Sequence, residues 1–466
     1  MAIFDESIQE LGNHPILDQM ASFRNNDFVI SENARSLVIN AYVAHGGRSP
    51  ALVVTTTEEE SKQIVRDLSK SLKQGEVALF PSWETLPFER VSPTVETMGR
   101  RSEVLWRIRN GMNPKVVVAT ARSVSQILTS TSYPGPIRLT QGKTIDYDTL
   151  LRSLFEYGYH RTSQVERRGE YAVRGSIIDI YPSTSDTPIR IDIWGDEIER
   201  LTTFSIADQR SKKPGKTINV FPARELIPSQ VIQNEATKLL KTHPWGKEHW
   251  QRFQNHEFFE GMESWLPWLE TSHDTFIEIF PSDGVIFLLE PNRILQRTDD
   301  LITEELNVGV ALAQTWGFDA SRNFPKLHID LEKALSKSNQ KIINFVSSSP
   351  DPTTPKLPTT AFQDSNKAPE EQLAELLKND YCIFFTTENE AAAALLKSKL
   401  NANELNAEVV SLTENNSVKN GINLVPGIDQ RGVILPDIKT AIISEAEFYG
   451  KRRSHRTPKK KLATTP

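Results

Sequence analysis

Cysteine is almost missing from this chain. Cys382 is the one cysteine among 466 residues, so a single chain can build neither a disulfide framework nor a multi-cysteine zinc site. No stretch approaches the ~20 apolar residues that a membrane span needs. The amino terminus, MAIFDESIQELG, also lacks a basic start followed by an apolar core. These absences predict a cytoplasmic protein.

Excess positive charge is missing as well. The formal net charge is −6 and the isoelectric point of the sequence is near 6.0. This balance argues against a protein that coats nucleic acid over its whole surface, so any such contact is expected to be local. With 38% hydrophobic residues the chain can bury ordinary globular cores. Its length predicts three or four domains of ~100–200 residues each.

The common motifs of hydrolytic catalysis do not occur. A phosphate-binding loop has the pattern GxxxxGK[ST], and Gly142-Lys143-Thr144 and Gly215-Lys216-Thr217 keep only its last three residues. Gly46-Gly47-Arg48-Ser49 precedes its strand, and Glu290 is a lone acid at the end of an apolar strand. Neither HExxH nor GxSxG is present. We therefore predict no catalytic, cofactor-binding or metal-binding residues in this chain.

The first 135 residues alternate between helical and strand patterns. Ala34–Ala44 has helical periodicity, and the apolar runs Ala51–Thr55, Glu76–Phe80 and Lys115–Thr120 are typical of buried strands. Strands that alternate with helices predict a parallel α/β sheet.

Shorter strands begin near Pro136. Arg174–Tyr181 and Ile189–Ile193 alternate between apolar and polar residues, and Gly195 follows as a turn signal, which predicts a small β-rich insert. Beyond Val220 helices and apolar strands resume, including an aromatic helix at 251–259. The first domain is therefore expected to continue after the insert.

The carboxyl-terminal third changes composition twice. Ser347–Pro369 is rich in proline, serine and threonine, which predicts an extended linker because it offers little apolar surface to offset chain entropy. The patterns of Glu371–Lys378, Tyr381–Thr386 and Glu388–Asn401 then predict a smaller α/β domain. The basic tail 451–466 is interpreted as a solvated linker, with a nucleic-acid patch as the alternative.

Arginine and tyrosine residues are interleaved in YHRTSQVERRGEYAVR, from Tyr159 to Arg174. Guanidinium groups and tyrosine rings concentrate binding energy in protein interfaces, so the segment is a candidate docking site. A solvated charged face and a nucleic-acid contact remain alternatives.

This segment and its surroundings resemble a known family. Residues 169–182, GEYAVRGSIIDIYP, and 190–198, RIDIWGDEI, are similar to the insert that the transcription-repair coupling factor family (Mfd) shares with the excision-repair protein UvrB. Residues 80–87, FPSWETLP, resemble the family's first α/β module, and 442–450, IISEAEFYG, resemble the end of its third domain. The resemblance spans nearly the whole chain.

The resemblance implies a fold class. The chain is expected to be α/β, with a degenerate P-loop NTPase-like (UvrB-like) parallel-sheet domain that carries a small β-rich α+β insert, followed by a second small α/β domain. The expected boundaries are 1–135 and 219–346 for the two segments of the UvrB-like domain, 136–218 for the UvrA-binding insert, 347–370 for the Pro/Ser/Thr-rich linker, 371–450 for the small α/β domain and 451–466 for the basic linker.

The resemblance also implies partners. In the family the insert recruits the damage-recognition protein UvrA. Carried onto matching positions, Arg161 and Arg174 are the leading UvrA contacts, and Glu170, Asp179 and Tyr181 are further candidates. Family members continue into a polymerase-binding domain and an ATP-driven DNA translocase. Contacts with RNA polymerase, DNA, ATP and magnesium are therefore expected of regions absent from this chain.

The resulting expectation is an adaptor fragment without an ATPase motor. The alternative from another class is UvrB itself, an ATP-dependent damage-verification subunit, which would need a phosphate loop. An independent interaction module outside repair is a third possibility, favoured if the Arg161–Tyr181 surface does not bind UvrA.

Overall fold

The computed structural model describes ten ranges of the chain: 5–22, 26–85, 89–129, 134–270, 272, 274–315, 325–362, 367–410, 421–427 and 431–450. These residues form two compact units. The split unit consists of the described residues within Met1–Arg48, Arg66–Gln74 and Ile343–Pro466. The central unit consists of those within Ser49–Val65 and Gly75–Ile342.

Helices occur throughout the described residues. In chain order they are α1 (Asp5–Gly12), α2 (Pro15–Ser22), α3 (Arg35–Ala44), α4 (Glu58–Leu68), α5 (Val95–Arg109), α6 (Ala121–Ser125), α7 (Tyr147–Glu156), α8 (Gln230–Thr242), α9 (Lys247–Gln254), α10 (Leu266–Leu269), α11 (Phe276–Ile279), α12 (Pro291–Thr315), α13 (Leu331–Lys337), α14 (Pro369–Lys378), α15 (Glu390–Ala402) and α16 (Glu445–Phe448). Polar caps begin several of them. At α7 the Asp146 carboxylate accepts the Thr149 amide at 2.7 Å, which lowers the pKa of Asp146.

The strands are short. In chain order they are β1 (Asn26–Val29), β2 (Ala51–Thr55), β3 (Val77–Phe80), β4 (Val116–Thr120), β5 (Ile137–Thr140), β6 (His160–Arg161), β7 (Glu170–Arg174), β8 (Ile177–Ile180), β9 (Ile189–Trp194), β10 (Glu197–Phe204), β11 (Ser211–Pro214), β12 (Thr217–Val220), β13 (Val285–Leu289), β14 (Lys341–Val346), β15 (Cys382–Thr387), β16 (Ala407–Val409), β17 (Ile422–Pro426), β18 (Val433–Leu435) and β19 (Thr440–Ser444).

A parallel sheet forms the core of the central unit. Strands β13, β2, β4 and β3 lie side by side in that order, with parallel registers throughout. Every residue of β2, β4 and β13 is buried, as expected for continuous apolar runs with packed layers on both faces. The predicted parallel α/β sheet is confirmed. The strands at 51–55, 76–80 and 115–120 begin and end within one residue of expectation.

The insert forms a separate sheet in the order β11-β10-β9-β8-β7-β6. Its strand pairs are antiparallel except β6 and β7, which run parallel. This sheet agrees with the β-rich pattern of 136–218. The single strand predicted over Arg174–Tyr181 is wrong, because Gly175 adopts φ 62° and the chain turns there from β7 into β8.

Tryptophan side chains organise the helical segment after the insert. Trp250, Trp265 and Trp268 are buried in one cluster with Phe253. The aromatic helix predicted at 251–259 begins and ends earlier than expected, at Lys247 and Gln254. Helix α9 ends at Gln254, and His256 adopts φ 59°, a left-handed conformation through which a helix does not continue.

The split unit has its own sheet, in the order β16-β17-β15-β19-β18, with only β18 antiparallel to its neighbour. Strand β1 also pairs with β14 in parallel. Within the predicted linker, Lys356 forms a backbone bridge with Val29 and Thr360 forms one with Ile434. The finer domain boundaries stay a prediction, and the basic tail 451–466 lies outside the described residues.

Candidate docking surface of the inserted sheet

The inserted sheet has two faces of different chemistry. Residues paired across neighbouring strands point to the same face, and successive residues alternate between faces. The inner face packs against Leu150 and Leu154 of α7. One of its rows consists of Val173, Ile178, Ile191 and Leu201. The next row points the other way, to the outer face, and consists of Arg174, Ile177, Asp192 and Arg200.

The two leading candidate residues, Arg161 and Arg174, are both exposed but point to opposite faces. Arg161 is paired with Tyr171 across β6 and β7, and Tyr171 belongs to the inner core. Arg174 is three residues beyond Tyr171 on the same strand, so it points to the outer face. There its Nη2 donates to the Ser163 carbonyl at 3.0 Å. The structure does not bring the two arginines into one patch.

Arg161 lines a cleft of about 650 Å³ between the insert and the helical segment. Phe155, Tyr171 and Phe258 contribute aromatic rings to this Arg161 cleft. Burial raises the pKa of the Tyr171 hydroxyl, and the positive charge of Arg161 opposes that shift. The cleft therefore combines a guanidinium group with apolar rings.

Asp179 is buried and faces Arg190 across β8 and β9. Nε of Arg190 donates to Oδ1 at 2.7 Å, and Nη2 donates to Oδ2 at 2.8 Å. These hydrogen bonds raise the pKa of Arg190, whose guanidinium also lies 4.8 Å from the centre of the Phe204 ring. The Asp179 carboxylate is thus engaged inside the domain. Its direct contact with a partner stays a prediction.

Glu170 and Tyr181 hold the loop 162–169 against the outer face. Oε2 of Glu170 accepts the amides of Glu166 and Arg167 at 2.8 and 2.9 Å. Tyr181 is buried beside Val165 of the loop, and its hydroxyl donates to the Asp186 carbonyl at 3.1 Å. These contacts position the loop that flanks Arg174. A direct role of either side chain in docking stays a prediction.

Sequence reasoning missed two exposed residues of the outer face, Arg200 and Trp194. Trp194 is 79% exposed. It lies two residues beyond Asp192 on β9 and so shares the outer face. The signal was present in RIDIW, where strand alternation groups Trp194 with Arg190 and Asp192 and separates it from the isoleucines.

Glutamates line the carboxyl end of the parallel sheet, where open α/β sheets bind their ligands. Helix α4 follows β2 closely and begins with Glu58, Glu59 and Glu60. Oε1 of Glu58 accepts the amide and the hydroxyl of Ser82 at 2.9 and 2.7 Å, and Oε2 of Glu60 accepts the Thr56 amide at 3.3 Å. A helix start attracts phosphate through its free amides. Three carboxylates at this start repel it.

The partial phosphate-loop motifs lie in turns of the insert. Gly142 adopts φ 77° and its amide donates to the Ile198 carbonyl at 2.8 Å, so this amide is engaged within the sheet. Gly215 lies between β11 and β12, and its amide donates to the Leu201 carbonyl at 2.8 Å. Neither motif presents its glycine amide to a ligand.

Glu290, the lone acid at the end of an apolar strand, follows β13 directly, and its carbonyl accepts the Arg293 amide in the first turn of α12. In the described part of the chain, no group of three or more His, Cys, Asp or Glu side chains is arranged to hold a metal ion. Nor does any described helix combine the length and apolar content needed to cross a membrane.

A family profile described as UvrB interaction domain matches residues 137–226. This range contains the whole inserted sheet together with α7, β5 and β12. The match therefore defines the chain as one that carries a UvrB interaction domain.

Similarity to curated proteins extends beyond the insert. The chain is 33% identical to the transcription-repair-coupling factor of Mycobacterium bovis over 317 residues, covering 64% of this chain and 25% of that protein. It is 25% identical to the Haemophilus influenzae protein of the same name over 447 residues, covering 91% and 38%. The Escherichia coli protein is 24% identical over 463 residues, covering 91% and 38%.

The chain spans between a quarter and about two-fifths of the length of these relatives. Over most of its own length the chain is similar to proteins named transcription-repair-coupling factor. This confirms the resemblance predicted from its motifs.

Proposed function

We propose that this chain is an adaptor that recruits UvrA of nucleotide excision repair to stalled RNA polymerase. One observation carries the proposal: the match to the UvrB interaction domain coincides with the inserted sheet, whose outer face exposes Arg174, Arg200 and Trp194. Arginine and tryptophan supply much of the binding energy in protein interfaces.

The parallel-sheet domain is, in this proposal, a degenerate P-loop NTPase-like domain that does not hydrolyse nucleotide. The glutamates at the start of α4 support this, because their charge opposes phosphate where a phosphate loop would bind it. The alternative, a UvrB-type ATP-dependent damage-verification subunit, would need that helix start for ATP.

Movement on DNA and the contacts with RNA polymerase, ATP and magnesium belong, in this proposal, to the part of the relatives that this chain does not match. The chain matches no more than about two-fifths of the relatives described above. We assign these activities to the remaining part of such proteins.

The test is binding of purified UvrA to the whole chain. The wild-type chain is expected to bind, and Arg174→Ala is expected to cost about 2 kcal/mol, the loss typical of a hot-spot arginine. Arg161→Ala is measured beside it, since Arg161 points to the other face. Arg152, an exposed arginine of α7, is the matched control, and Arg152→Ala should bind like the wild type. A folded wild-type chain that does not bind UvrA would remove the proposal.

A further inference from the structure

Trp194 is the most exposed of the large hydrophobic side chains in the described part of the chain, at 79%. Tryptophan is usually well buried, because leaving its large ring in water is unfavourable. In interfaces it is among the residues that contribute most to binding when a partner buries it. A tryptophan held in solvent at the end of an interior strand of an otherwise packed sheet therefore points to a missing partner.

The position of Trp194 is fixed by the backbone around it. Gly195 and Asp196 form a two-residue connection between β9 and β10, and Gly195 adopts φ 64° at its first position. The Asp196 carbonyl accepts the Ile145 amide at 2.6 Å, and the Ile198 amide donates to the Lys143 carbonyl at 3.0 Å. The hairpin tip is thus tied to the segment before α7. Because the backbone of the tip is already fixed, little backbone conformational entropy is lost when Trp194 binds a partner.

The charges beside Trp194 follow from the sheet register. Arg174 and Arg200 are exposed and end a four-residue row, with Ile177 and Asp192 between them. Arg190 also points to the outer face, but its charge is paired with Asp179. Trp194 itself is paired across the strands with Glu197, which is also exposed. Around Trp194 the outer face therefore presents one exposed aromatic ring, two exposed guanidinium groups and the exposed carboxylate of Glu197.

Resting on the proposed function, we infer that Trp194 is the apolar anchor of the UvrA contact. It enters an apolar pocket of UvrA whose rim carries carboxylates that pair with Arg174 and Arg200. The occupant follows from complementarity: an indole needs an apolar recess, and a planar guanidinium pairs best with a carboxylate.

A single strand of nucleic acid is a poorer match for the same patch. The Asp192 carboxylate lies in the middle of the row and would repel a phosphate backbone. Strand-binding sheets stack successive bases on several aromatic rings, whereas Trp194 is the only aromatic residue on β9.

Two substitutions at one position test the inference. Trp194→Ala is expected to weaken binding of the whole chain to purified UvrA by about 30-fold or more, the scale of an interface hot spot. Trp194→Phe, which keeps an aromatic ring, should lose several-fold less. Arg200→Glu should weaken binding most at low ionic strength, because salt screens the attraction that it reverses. Leu395→Ala is the control, since Leu395 is 72% exposed in the split unit and should not affect binding.

The outcomes separate this inference from the proposed function. If the wild type binds UvrA and Trp194→Ala binds equally well, the anchor is wrong and the adaptor stands. If the folded wild type does not bind UvrA, the adaptor itself fails. Single-stranded oligonucleotide that quenches the fluorescence of the wild type saturably, but not that of Trp194→Ala, would reassign the patch to nucleic acid and overturn the inference.

Discussion

Asp179 and Arg190 face each other on β8 and β9 and are joined by two hydrogen bonds of 2.7 and 2.8 Å. Asp179 is 1% exposed, so the pair lies in a part of the outer face that is buried from solvent. The pair couples the two central strands of the insert and leaves docking to the exposed row beside it.

Removing one partner of this pair should destabilise the insert strongly. Asp179→Ala leaves the Arg190 guanidinium partly buried without its carboxylate, and the expected loss of unfolding free energy is roughly 3 kcal/mol. Denaturant unfolding measures it. Asp192→Ala, on the same face but only half-buried, should stay within about 0.5 kcal/mol of the wild type. Equal losses in the two variants would contradict the structural role given to Asp179.

Arg161 and Arg174 should contribute to partner binding independently, because they point to opposite faces. The loss of UvrA affinity in the double Arg161→Ala, Arg174→Ala variant should equal the sum of the single losses within about 0.5 kcal/mol. A double-mutant cycle on the whole chain provides the measurement. Coupling well above that value would mean that both arginines contact one group of the partner, against the register of β6 and β7.

Nucleotide should not stabilise this chain. A ligand at 100 times its dissociation constant adds about 2.7 kcal/mol to the stability of a protein that binds it. We expect magnesium-ATP in large excess to leave the thermal unfolding midpoint unchanged, since Glu58, Glu59 and Glu60 stand at the start of α4. A rise in the midpoint, or phosphate release that is lost when α4 is altered, would show that the sheet has kept a nucleotide site.

Acid should destabilise the central unit through His328. The ring is fully buried, with Nδ1 3.1 Å from Oε2 of Glu305, and burial lowers the pKa of His328 below 6.5 although Glu305 opposes the shift. As pH falls below 6.5, the His328 ring binds a proton in the unfolded chain, whereas in the folded chain it stays neutral until the pH is lower. The free energy of unfolding therefore decreases.

The variant His328→Gln should flatten this pH dependence, because glutamine does not titrate. Urea unfolding at several pH values from about 5.5 to 7.5 measures it, across the range in which a histidine titrates. His160→Gln is measured beside it as the control for replacing an exposed histidine. An identical slope in His328→Gln would assign the acid sensitivity to another group.

Burial pattern explains which parts of the fold could be predicted. The runs at 51–55 and 115–120 are short and apolar at most positions, which is typical of a strand buried on both faces. Strands β17 and β18 were missed, because a few apolar residues between unrelated segments carry no periodic signal.

The site was harder to predict than the sheet. The motif identified Arg161 and Arg174 but not their faces, which depend on the parallel pairing of β6 and β7 across the loop 162–169. The burial of Asp179 likewise depends on Arg190, a partner on the next strand. A local sequence pattern does not show which residues pair across distant strands. The alternation of polar and apolar residues that places Trp194 on the outer face, by contrast, lies within the single strand β9.

Most of the split unit comes from stretches on either side of the central unit, within Met1–Arg48 and Ile343–Pro466, while Arg66–Gln74 comes from between the two segments of the central unit, and this affects how the protein folds. While the central unit is unfolded it is a long flexible loop, and each doubling of such a loop adds about 0.6 kcal/mol to the entropy cost of closing it. Once the central unit has folded, its two ends both lie beside the start of β13. The Pro50 carbonyl accepts the Val285 amide at 3.1 Å, and the Lys341 amide donates to the Gly284 carbonyl at 3.4 Å. The folded central unit then holds the two flanking segments of the split unit close together, so its folding lowers the entropy cost of bringing those segments into contact. No contiguous fragment of the chain contains the split unit alone.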